Sequence, residues 1–316
     1  MRALVLTAGL GTRLRPLTYV RAKAAVPVNG DPLVRRIVRW LAAQDFRDLV
    51  LNLHHEPESI ARVMGDGGDA DVRIRYSWEQ PVLGSAGGPR HALPLLADGG
   101  ADTFLLVNGD TLTELDLGPV IEAHHASGAL VTMAVVPNPR PEKYGGVLVA
   151  RDGTVTGFTG SAPGVESHHF IGIQVASVHA FAGLPDGEPA ESVGMLYPRL
   201  LRERSGSIRA YICDAEFHDI GTPADYLATC LAFAESEGDR LIADGGRIDA
   251  SARVVRTTLW DDVTVGPDVR LTECIACDGV RVPPGASFTR AALVRADARR
   301  PRPDERVDGE LLIRTF

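Results

Sequence analysis

Apolar residues follow two different periods over the first 235 or so positions of the chain. Short, nearly continuous apolar runs predict buried strands, whereas apolar positions three or four residues apart predict amphipathic helices. The predicted strands are residues 3–6, 49–53, 72–76, 103–107 and 130–136. The predicted helices are residues 34–43, 58–64, 86–96, 117–127 and 222–235.

This regular alternation of strands and helices is typical of βαβ units. We therefore expect an α/β fold with a Rossmann-like, mostly parallel sheet. Ligands of such sheets bind beyond the carboxyl ends of the strands. Residues 137–215 contain more glycine and proline, and the alternating segments 146–149 and 171–175 predict strands of a lid or an insertion.

A different repeat occupies residues 246–294. Apolar residues recur six positions apart, as at Val263 and Val269 and again at Val280 and Ala286, with glycine and proline between the repeats. This pattern predicts a short hexapeptide β-helix of two or three coils. The polar, proline-rich stretch from residue 296 predicts a flexible tail with a docked end at 311–313. We thus expect domains over 1–240 and 241–295, followed by the tail 296–316.

Composition narrows the function classes. The chain has 45% hydrophobic and 23% charged residues with a net charge of -8, which excludes wholesale disorder and argues against a nucleic-acid partner. No apolar run is long enough to span a membrane, and the first residues lack the features of a signal peptide, so we expect a cytoplasmic protein. Of the 33 basic residues, 31 are arginine and only Lys23 and Lys143 are lysine.

A glycine loop follows the first predicted strand. Gly9 and Gly11 would let backbone N–H groups approach a phosphate, and Arg13 adds a fork of donors. Leu14 stands where a dinucleotide-binding fingerprint needs its third glycine, and the Gly-Lys-Ser/Thr of a Walker A loop is missing. Lys23 lies ten residues after Arg13. The segment 15–18 between them is a poor helix former, so the chain can turn back there and bring both cations to one site.

Two aspartates are candidates for metal binding. Asp110 ends the predicted strand 103–107 in an Asn-Gly-Asp sequence, and Asp219 lies just before the helix that starts near residue 222. Two carboxylates can hold one Mg²⁺ when water and phosphate oxygens complete the octahedron. A glycine-rich segment that includes Gly84 would let a flat base lie on the backbone, with Gln80 as donor and acceptor for its edge.

These elements, in this order, resemble the sugar nucleotidylyltransferases. The family pattern is G-x-G-T-R-L-x-P-L-T, a lysine ten residues past the arginine, P-V, G-x-A, N-G-D and D-x-G-T-P. In this chain those motifs fall at residues 9–18, 23, 27–28, 84–86, 108–110 and 219–223. The segment 81–87 is most similar to the P-L-G-T-A-G of mannose-1-phosphate guanylyltransferases, and uridylyltransferases acting on N-acetylmuramate 1-phosphate are also similar through N-G-D. Many such enzymes carry a short left-handed β-helix like the one predicted here.

The resemblance implies a reaction in which a sugar 1-phosphate attacks the α-phosphorus of a nucleoside triphosphate and pyrophosphate leaves. It implies Arg13 and Lys23 as catalytic cations, and Asp110 and Asp219 as ligands of Mg²⁺. The implied nucleotide-binding residues are Leu6, Ala8, Gly9, Gly11, Thr12, Gln80, Gly84 and Ser85. The residues implied at the sugar phosphate are Asn108, Gly145 and His169.

Two positions depart from the family pattern. Lys23 is followed by Ala24 where the family often has proline. The family's E-K-P, whose lysine binds the sugar phosphate, is absent, because the matching segment 158–163 contains no basic residue. His168, His169, Arg140 and Lys143 are candidates to replace that lysine.

Several alternatives stay open at this point. The base and the sugar are not fixed by the sequence, so uridylyl, thymidylyl, adenylyl or cytidylyl transfer remains open beside guanylyl transfer. A catalytically silent nucleotide-sugar sensor of the same fold and an acyltransferase that uses the β-helix are rival classes. The β-helix is expected to support a homo-oligomer. Metal binding by histidine or cysteine is not expected. The histidine doublets at 54–55, 124–125 and 168–169 are poor chelates, and Cys274 and Cys277 are expected to be small core residues rather than half of a zinc site.

Overall fold

The structure of the chain is a computed structural model that describes residues 1–162, 164–243, 245–297 and 300–316. Pro163, at the end of the segment that lacks the expected lysine, lies outside the described residues. The helices are α1 (Leu33–Ala43), α2 (Pro57–Met64), α3 (Gly84–Leu96), α4 (Leu117–Ser127), α5 (Val178–Ala182), α6 (Tyr197–Glu203) and α7 (Pro223–Glu237). Shorter helical turns are Thr12–Leu14, Leu17–Tyr19, Lys23–Ala25, Gly68–Ala70 and the π-helical Ser192–Leu196.

The strands before residue 220 are β1 (Arg2–Leu6), β2 (Pro27–Val28), β3 (Asp31–Pro32), β4 (Asp48–Leu53), β5 (Arg73–Trp78), β6 (Thr103–Asn108), β7 (Thr111–Thr113), β8 (Val131–Pro137), β9 (Gly146–Val149), β10 (Val155–Thr159), β11 (His168–Ser177), β12 (Ile208–Ile212) and β13 (Phe217–Asp219). Those after it are β14 (Arg247–Ile248), β15 (Arg253–Val255), β16 (Thr258–Leu259), β17 (Thr264–Val265), β18 (Arg270–Thr272), β19 (Ile275–Ala276), β20 (Arg281–Val282), β21 (Ser287–Thr289), β22 (Ala291–Arg295), β23 (Arg306–Asp308) and β24 (Leu311–Thr315).

Contacts divide the chain into two compact units that do not follow sequence order. Unit 1 consists of Met1–Gly9, Ile37–Pro57 and Met64–His218. Unit 2 consists of Leu10–Arg36, Glu58–Val63 and Asp219–Phe316. The sequence predicted a boundary near residue 240, whereas these contacts group the loop after β1 with the end of the chain. The division therefore falls inside the predicted phosphate loop, between Gly9 and Leu10.

Unit 1 is built on a nine-stranded mixed sheet. Its main path runs β10-β9-β11-β6-β1-β4-β5, with β8 paired to β11 and β12 paired to β8. The pairs around β1 are parallel, whereas β11 is antiparallel to β6, β8 and β9. The predicted α/β class is confirmed, but the sheet is parallel only in the part around β1 and in the β8–β12 pair.

The centre of this sheet is buried on both faces, which explains the continuous apolar runs. Ala3, Leu4 and Val5 of β1 are fully buried between β4 and β6. The core continues through Phe104 and Leu106 of β6 into the side chains of α3, α5 and α6. The five buried strands and five helices predicted from periodicity are present, with bounds that shift by no more than a few residues. The alternating segments 146–149 and 171–175 are also strands, but β9 and β11 belong to the main sheet, so their prediction as a lid or an insertion is wrong.

Unit 2 contains a β-helix made of three stacked ladders. The ladders are β14-β17-β20, β15-β18-β21 and β16-β19-β22, and all pairs within them are parallel. Stacked residues are 17 positions apart, as where the Cys274 amide donates to the Thr257 hydroxyl. A coil of 17 residues is one residue shorter than three hexads. The six-residue spacing of Val263 and Val269 therefore starts again at Val280, 17 positions after Val263, rather than at a multiple of six. The predicted β-helix is present, and its handedness stays a prediction.

The predicted docked end at 311–313 is confirmed, and residues 306–308 and 311–315 form strands within the stretch whose composition predicts a flexible tail. β24 pairs antiparallel with β22 and with β23, and Leu311, Leu312 and Ile313 are buried. Leu311 and Ile313 belong to the apolar cluster that fills the β-helix. Burial of these side chains outweighs the polar and proline-rich composition around them. None of the helices in the described part of the chain is both long and apolar enough to cross a lipid bilayer.

The loop after β1 is held by buried leucines and tight turns. Leu14 and Leu17 are fully buried, and the Leu14 amide donates to the Gly11 carbonyl at 3.0 Å. Gly11 has a φ of +57°, and a Cβ there would lie 2.6 Å from Cγ2 of Thr18 and 3.3 Å from Cβ of Lys23. Only glycine fits this conformation and this space without displacing the loop.

We expect Gly11→Ala to lower the free energy of unfolding by at least ~1 kcal/mol, because alanine is strained at positive φ and collides with Thr18. Urea unfolding monitored by circular dichroism measures the change. Gly9→Ala is the matched control, since a Cβ on Gly9 would meet nothing within 4 Å and the φ of Gly9 is not positive. It should stay within about 0.5 kcal/mol of wild type. Equal stability of the two variants would contradict the role of Gly11.

Candidate active site

The residues that the sequence predicts for the site fall into two sets, one in each unit. Unit 2 holds the cationic and phosphate-loop residues Gly11, Thr12, Arg13 and Lys23 together with Asp219. Unit 1 holds Leu6, Ala8, Gly9, Gln80, Gly84, Ser85, Asn108, Asp110, Gly145 and His169.

In unit 2, Arg13 and Asp219 lie around one glycine although they are far apart in the sequence. A Cβ on Gly221 would lie 3.4 Å from Nη1 of Arg13 and 3.4 Å from Oδ2 of Asp219. Asp225 Oδ2 lies at 3.3 Å from the same point. Gly221 thus leaves the room in which one guanidinium and two carboxylates come close together.

The position of this cluster is fixed by the start of α7. Thr222 is the N-cap, and its hydroxyl accepts from the Asp225 amide while the Asp225 carboxylate accepts from the Thr222 amide, which is a capping box. Asp225 is thereby explained as a structural residue. Asp219, which ends β13, is the member of the pair that the cap does not use.

Lys23 opens a short helical turn in the same unit. Its Cβ lies 3.3 Å from the position that a Gly11 Cβ would occupy, so the backbone of Gly11 and the lysine are neighbours. Thr18 joins them, because its hydroxyl donates to the Gly11 carbonyl at 2.9 Å. The predicted reversal of the chain between Arg13 and Lys23 is therefore observed as a compact loop.

In unit 1, three predicted residues line one cavity of about 370 Å³, a size typical of small-molecule sites. The predicted residues are Leu6 at the end of β1, Ser85 at the start of α3 and Asn108 at the end of β6. The other lining residues are Phe170, Gln174, Glu191, Ser192, Val193 and Gly194. Glu191 is the one charged side chain among these nine, so the cavity favours ligand groups that donate hydrogen bonds.

Two glycines hold Asn108 in this wall. Gly109 packs against β1 so closely that a Cβ would lie 2.4 Å from the Leu6 carbonyl oxygen, which accepts from the Gly109 amide at 3.0 Å. Gly172 of β11, at φ +81°, faces Asn108, and a Cβ there would lie 2.8 Å from Cβ of Asn108. Close approach of the backbone explains both glycines.

The glycine-rich segment at the start of α3 is anchored by residues that sequence reasoning missed. Gly84, at φ +77°, lies against Glu191, and a Cβ would be 2.8 Å from its Oε1. The Ser85 hydroxyl donates to Glu191 Oε2 at 2.7 Å and accepts from the Ser192 amide at 2.9 Å. Ser85 therefore does not cap α3, whose N-cap is Leu83, but links the segment to the wall of the cavity.

A buried polar network connects the loop after β1 with the segment before α3. Asn52 Oδ1 accepts from the amides of Thr7 and Ala8 at 2.6 and 3.3 Å, and its Nδ2 donates to Glu79 Oε1 at 2.7 Å. The second oxygen of Glu79 accepts from the Leu83 amide at 2.7 Å. Both side chains are almost fully buried, so the network sets the positions of two predicted nucleotide-binding segments.

His169 lies in a stack of aromatic rings. Its ring centroid is 4.2 Å from that of Tyr144 and 4.9 Å from that of Phe217. Burial, with a smaller contribution from the charge of Lys143, lowers the pKa of His169 to about 4, although a hydrogen bond to the Gly145 backbone acts against this. The imidazole is therefore neutral near pH 7 and cannot supply positive charge to a phosphate.

Two cations adjoin the same stack. The Arg140 guanidinium lies 5.3 Å from the Tyr144 ring centroid and donates to its hydroxyl at 3.1 Å. Lys143 Nζ lies 4.9 Å from that centroid. Arg140 and Lys143 are exposed, whereas Tyr144 is buried. Two positive charges therefore lie at the surface, against the Tyr144 ring and next to Gly145 in the sequence.

The remaining predicted residues vary in exposure. Ala8 is buried, Asp110 is half-buried, and Gly9, Thr12, Arg13 and Gln80 are exposed. Among the described residues, no three or more histidine, cysteine, aspartate or glutamate side chains gather as a metal site. Cys274 and Cys277 are fully buried unpaired thiols in the β-helix.

Removal of the Glu79 carboxylate should destabilise the protein, since it leaves the Asn52 amide and the Leu83 N–H without their acceptor. We expect Glu79→Ala to lower the free energy of unfolding by roughly 2–4 kcal/mol, measured by urea unfolding. Glu122→Ala, at an exposed position of α4, should change it by less than about 0.5 kcal/mol. A Glu79→Ala protein as stable as the Glu122→Ala protein would exclude a structural role for the network.

Comparisons with known proteins identify the family of the chain. The family model for nucleotidyl transferases matches residues 2–160. The mannose-1-phosphate guanylyltransferase of Mycobacterium tuberculosis is 27% identical over 300 residues, covering 91% of this chain and 83% of that protein. The UTP–glucose-1-phosphate uridylyltransferase of Synechocystis sp. is 30% identical over 332 residues, covering 93% of this chain and 84% of that protein. The crystal structure of HddC from Yersinia pseudotuberculosis has the same fold, with a TM-score of 0.64 at 23% identity over 73% of this chain and 99% of that one. The chain belongs to the nucleotidyl transferase family.

Proposed function

We propose that this chain is a sugar-1-phosphate nucleotidylyltransferase that forms a nucleotide sugar and pyrophosphate, with GTP and mannose 1-phosphate as the first pair to test. A phosphate oxygen of the sugar 1-phosphate attacks the α-phosphorus of the triphosphate, and the bond from that phosphorus to the β-phosphate oxygen breaks. Such transfers depend mainly on positioning and on neutralisation of charge. The guanylyltransferase and uridylyltransferase among the relatives support the reaction class.

The observation that carries the proposal is the meeting of Arg13 and Asp219 around Gly221. The two residues come from separate motifs of the family pattern and lie more than 200 positions apart, and the fold brings them to one glycine. Arg13 offers a rigid fork of donors that suits the β- and γ-phosphates. Lys23, next to the Gly11 backbone, offers a compact charge for the α-phosphate.

The carboxylates of Asp110 and Asp219 are the proposed ligands of Mg²⁺. Their chemistry fits the ion, because magnesium is bound by one or two carboxylates and keeps several waters. When bound, the ion neutralises charge on the phosphate oxygens. Asp219 ends β13 beside Arg13, and Asp110 follows β6 by two residues, so each is held next to a strand.

The cavity of unit 1 is the proposed site of the base or the sugar. Its wall offers the amide of Asn108, the hydroxyl of Ser85 and the carboxylate of Glu191. A carboxylate acceptor suits hydroxyl groups of a neutral sugar, or N–H groups of a base such as guanine, and repels a ligand that carries its own carboxylate. A sugar bound in this cavity would therefore be neutral rather than acidic.

Release of pyrophosphate from five nucleoside triphosphates, each with several sugar 1-phosphates and Mg²⁺, tests the proposal. We expect turnover with at least one pair. Asp110→Asn should reduce kcat by on the order of 100-fold or more, because it replaces a negatively charged ligand of the metal by a neutral amide. Asp45→Asn is the control, since Asp45 is exposed and its positive φ suits asparagine.

Each outcome of this experiment has a distinct meaning. No turnover with any pair, together with tight binding of a nucleotide sugar, would favour the catalytically silent sensor. Near-normal activity of Asp110→Asn would show that the metal assignment is wrong while the reaction class stands.

We further propose that Lys143 and Arg140 supply the positive charge that the missing E-K-P lysine gives other members of the family. Support comes from their position on the Tyr144 ring, beside Gly145, and from the neutral state of His169. Both side chains are exposed, so an anion can approach them from solvent. A homo-oligomer formed through the β-helix also stays a proposal, supported by exposed apolar side chains at Ile248 and Val255.

Lys143→Ala should raise the KM for the sugar 1-phosphate about tenfold, the value of one charge-assisted contact, and leave the KM for the triphosphate unchanged. Steady-state kinetics with each substrate varied in turn makes the measurement. Arg151→Ala removes an exposed cation nearby in the sequence and should change neither constant. An unchanged KM for the sugar 1-phosphate in Lys143→Ala would refute this role.

A further inference from the structure

The segment that separates Arg13 from Lys23 is fastened to the C-terminal part of the chain at three points. The fastened residues are Arg15, Tyr19 and Arg21, and all their partners lie beyond residue 259 in unit 2. The two proposed catalytic cations thus stand on either side of a stretch that the β-helix and the last strands hold in place.

Arg21 makes the strongest of these contacts. Its Nε and Nη2 donate to the two oxygens of Asp278, both at 2.7 Å, and Nη2 also donates to Oδ2 of Asp261 at 2.6 Å. Its guanidinium lies 5.3 Å from the ring centroid of Trp260, which is fully buried. The Arg21 side chain is only 16% exposed. A bidentate pair of this kind fixes both distance and orientation.

The partners of Arg21 are themselves rigid. Asp261 and Asp278 follow successive coils of the β-helix, and the Asp261 amide donates to Oδ1 of Asp278 at 3.3 Å. Trp260 Nε1 donates to the Tyr226 hydroxyl at 2.8 Å, and that hydroxyl donates to the Pro27 carbonyl at 2.5 Å. The β-helix is therefore tied to the loop both before and after Lys23.

The other two contacts involve the last strands. The Tyr19 hydroxyl donates to Oε1 of Glu305 at 3.0 Å, and Glu305 is itself buried with its second oxygen accepting from the Arg302 amide. Arg314 donates to the Arg15 carbonyl and pairs with Asp304 at 2.9 Å. The strands at 306–315 thus do more than close the β-helix.

We propose that Arg21 is a positioning residue for catalysis, through which the β-helix sets the placement of Lys23 and Arg13. This rests on the proposed nucleotidylyl transfer. The β-helix then takes part in the reaction by holding the phosphate loop, in addition to any role in association. A displacement of about 1 Å in a reacting group can cost on the order of 100-fold in rate, so loss of the clamp should be visible in kcat.

The experiment combines kinetics with hydrogen exchange on the full-length chain. Arg21→Ala should lower kcat at least about tenfold with a smaller change in the KM for the triphosphate. It should also speed exchange at the amides of Leu14, Tyr19 and Ala25, whose bonds within the loop depend on its shape, by about tenfold. Arg21→Lys, which keeps the charge but not the fork, should recover part of both.

Arg306→Ala is the matched control, because Arg306 pairs with Asp308 at an exposed site of the same unit, and it should leave kcat and loop exchange unchanged. Tyr19→Phe removes one hydroxyl and keeps the ring, so it should move kcat and exchange in the same direction by a smaller factor. This second variant decides the matter if Arg21→Ala does not fold.

The inference is overturned if folded Arg21→Ala keeps kcat within about twofold of wild type, or if kcat falls without faster exchange in the loop. A lower melting temperature with unchanged kcat would mean a purely structural contact and would likewise overturn it. If the wild-type chain releases no pyrophosphate, the proposed function fails and the catalytic role fails with it. In that case the exchange data alone still establish or refute the clamp.

Discussion

The register between β1 and β6 is the constraint on which the site of unit 1 depends. Leu6 stands opposite Asn108, so the loop after β1 and the Asn-Gly-Asp turn leave the sheet at the same edge. Gly109 then packs directly on the Leu6 carbonyl, and this contact fixes the backbone positions of Asn108 and Asp110 on either side of it. A slip of one residue would exchange the two faces along the whole of β1, and close packing of both faces forbids it. The chemistry at this edge is thus fixed by packing in the centre of the sheet.

Periodicity predicted the elements of this fold where burial alone decides them, and failed where pairing decides them. The runs around β1 and β6 are apolar because both faces are covered, so the sequence carries that information directly. The order of the strands around β11 does not follow from any such pattern, and the mixed character of the sheet was accordingly missed. At the end of the chain the apolar run 311–313 correctly predicted a docked segment, which pairs with β22, but the polar composition before it did not predict β23. The 17-residue coil does not follow from the six-residue repeat, because it is one residue shorter than three such repeats.

The candidate site shows the same difference at the level of single residues. The motif residues were predicted from the chemistry of a glycine loop, a pair of aspartates and Lys23, and from the order of these motifs in the family pattern. Asn52, Glu79 and Glu191 were missed because their roles depend on partners that only the tertiary structure supplies. For Asn52 and Glu79 a signal existed: each is a polar residue at the end of a strand, where burial without a partner would be costly. For Glu191, which follows a glycine- and proline-rich turn, no feature of the sequence marked it as part of a cavity wall.

The strong bias toward arginine gains a physical meaning from the contacts in unit 2. Arg21 and Arg36 both use two donors on one carboxylate, with N–O distances of 2.7 to 2.8 Å, and an ammonium group cannot make such a pair. Cations that hold the structure together are therefore arginines. A lysine offers a compact charge on a flexible stem, which can follow a phosphate oxygen as its charge changes during transfer. Only two positions of the chain carry that group, and one of them, Lys23, lies two residues from the arginine that the β-helix holds. The bidentate contact of Arg21 with Asp278 therefore holds the backbone from which the Lys23 side chain projects.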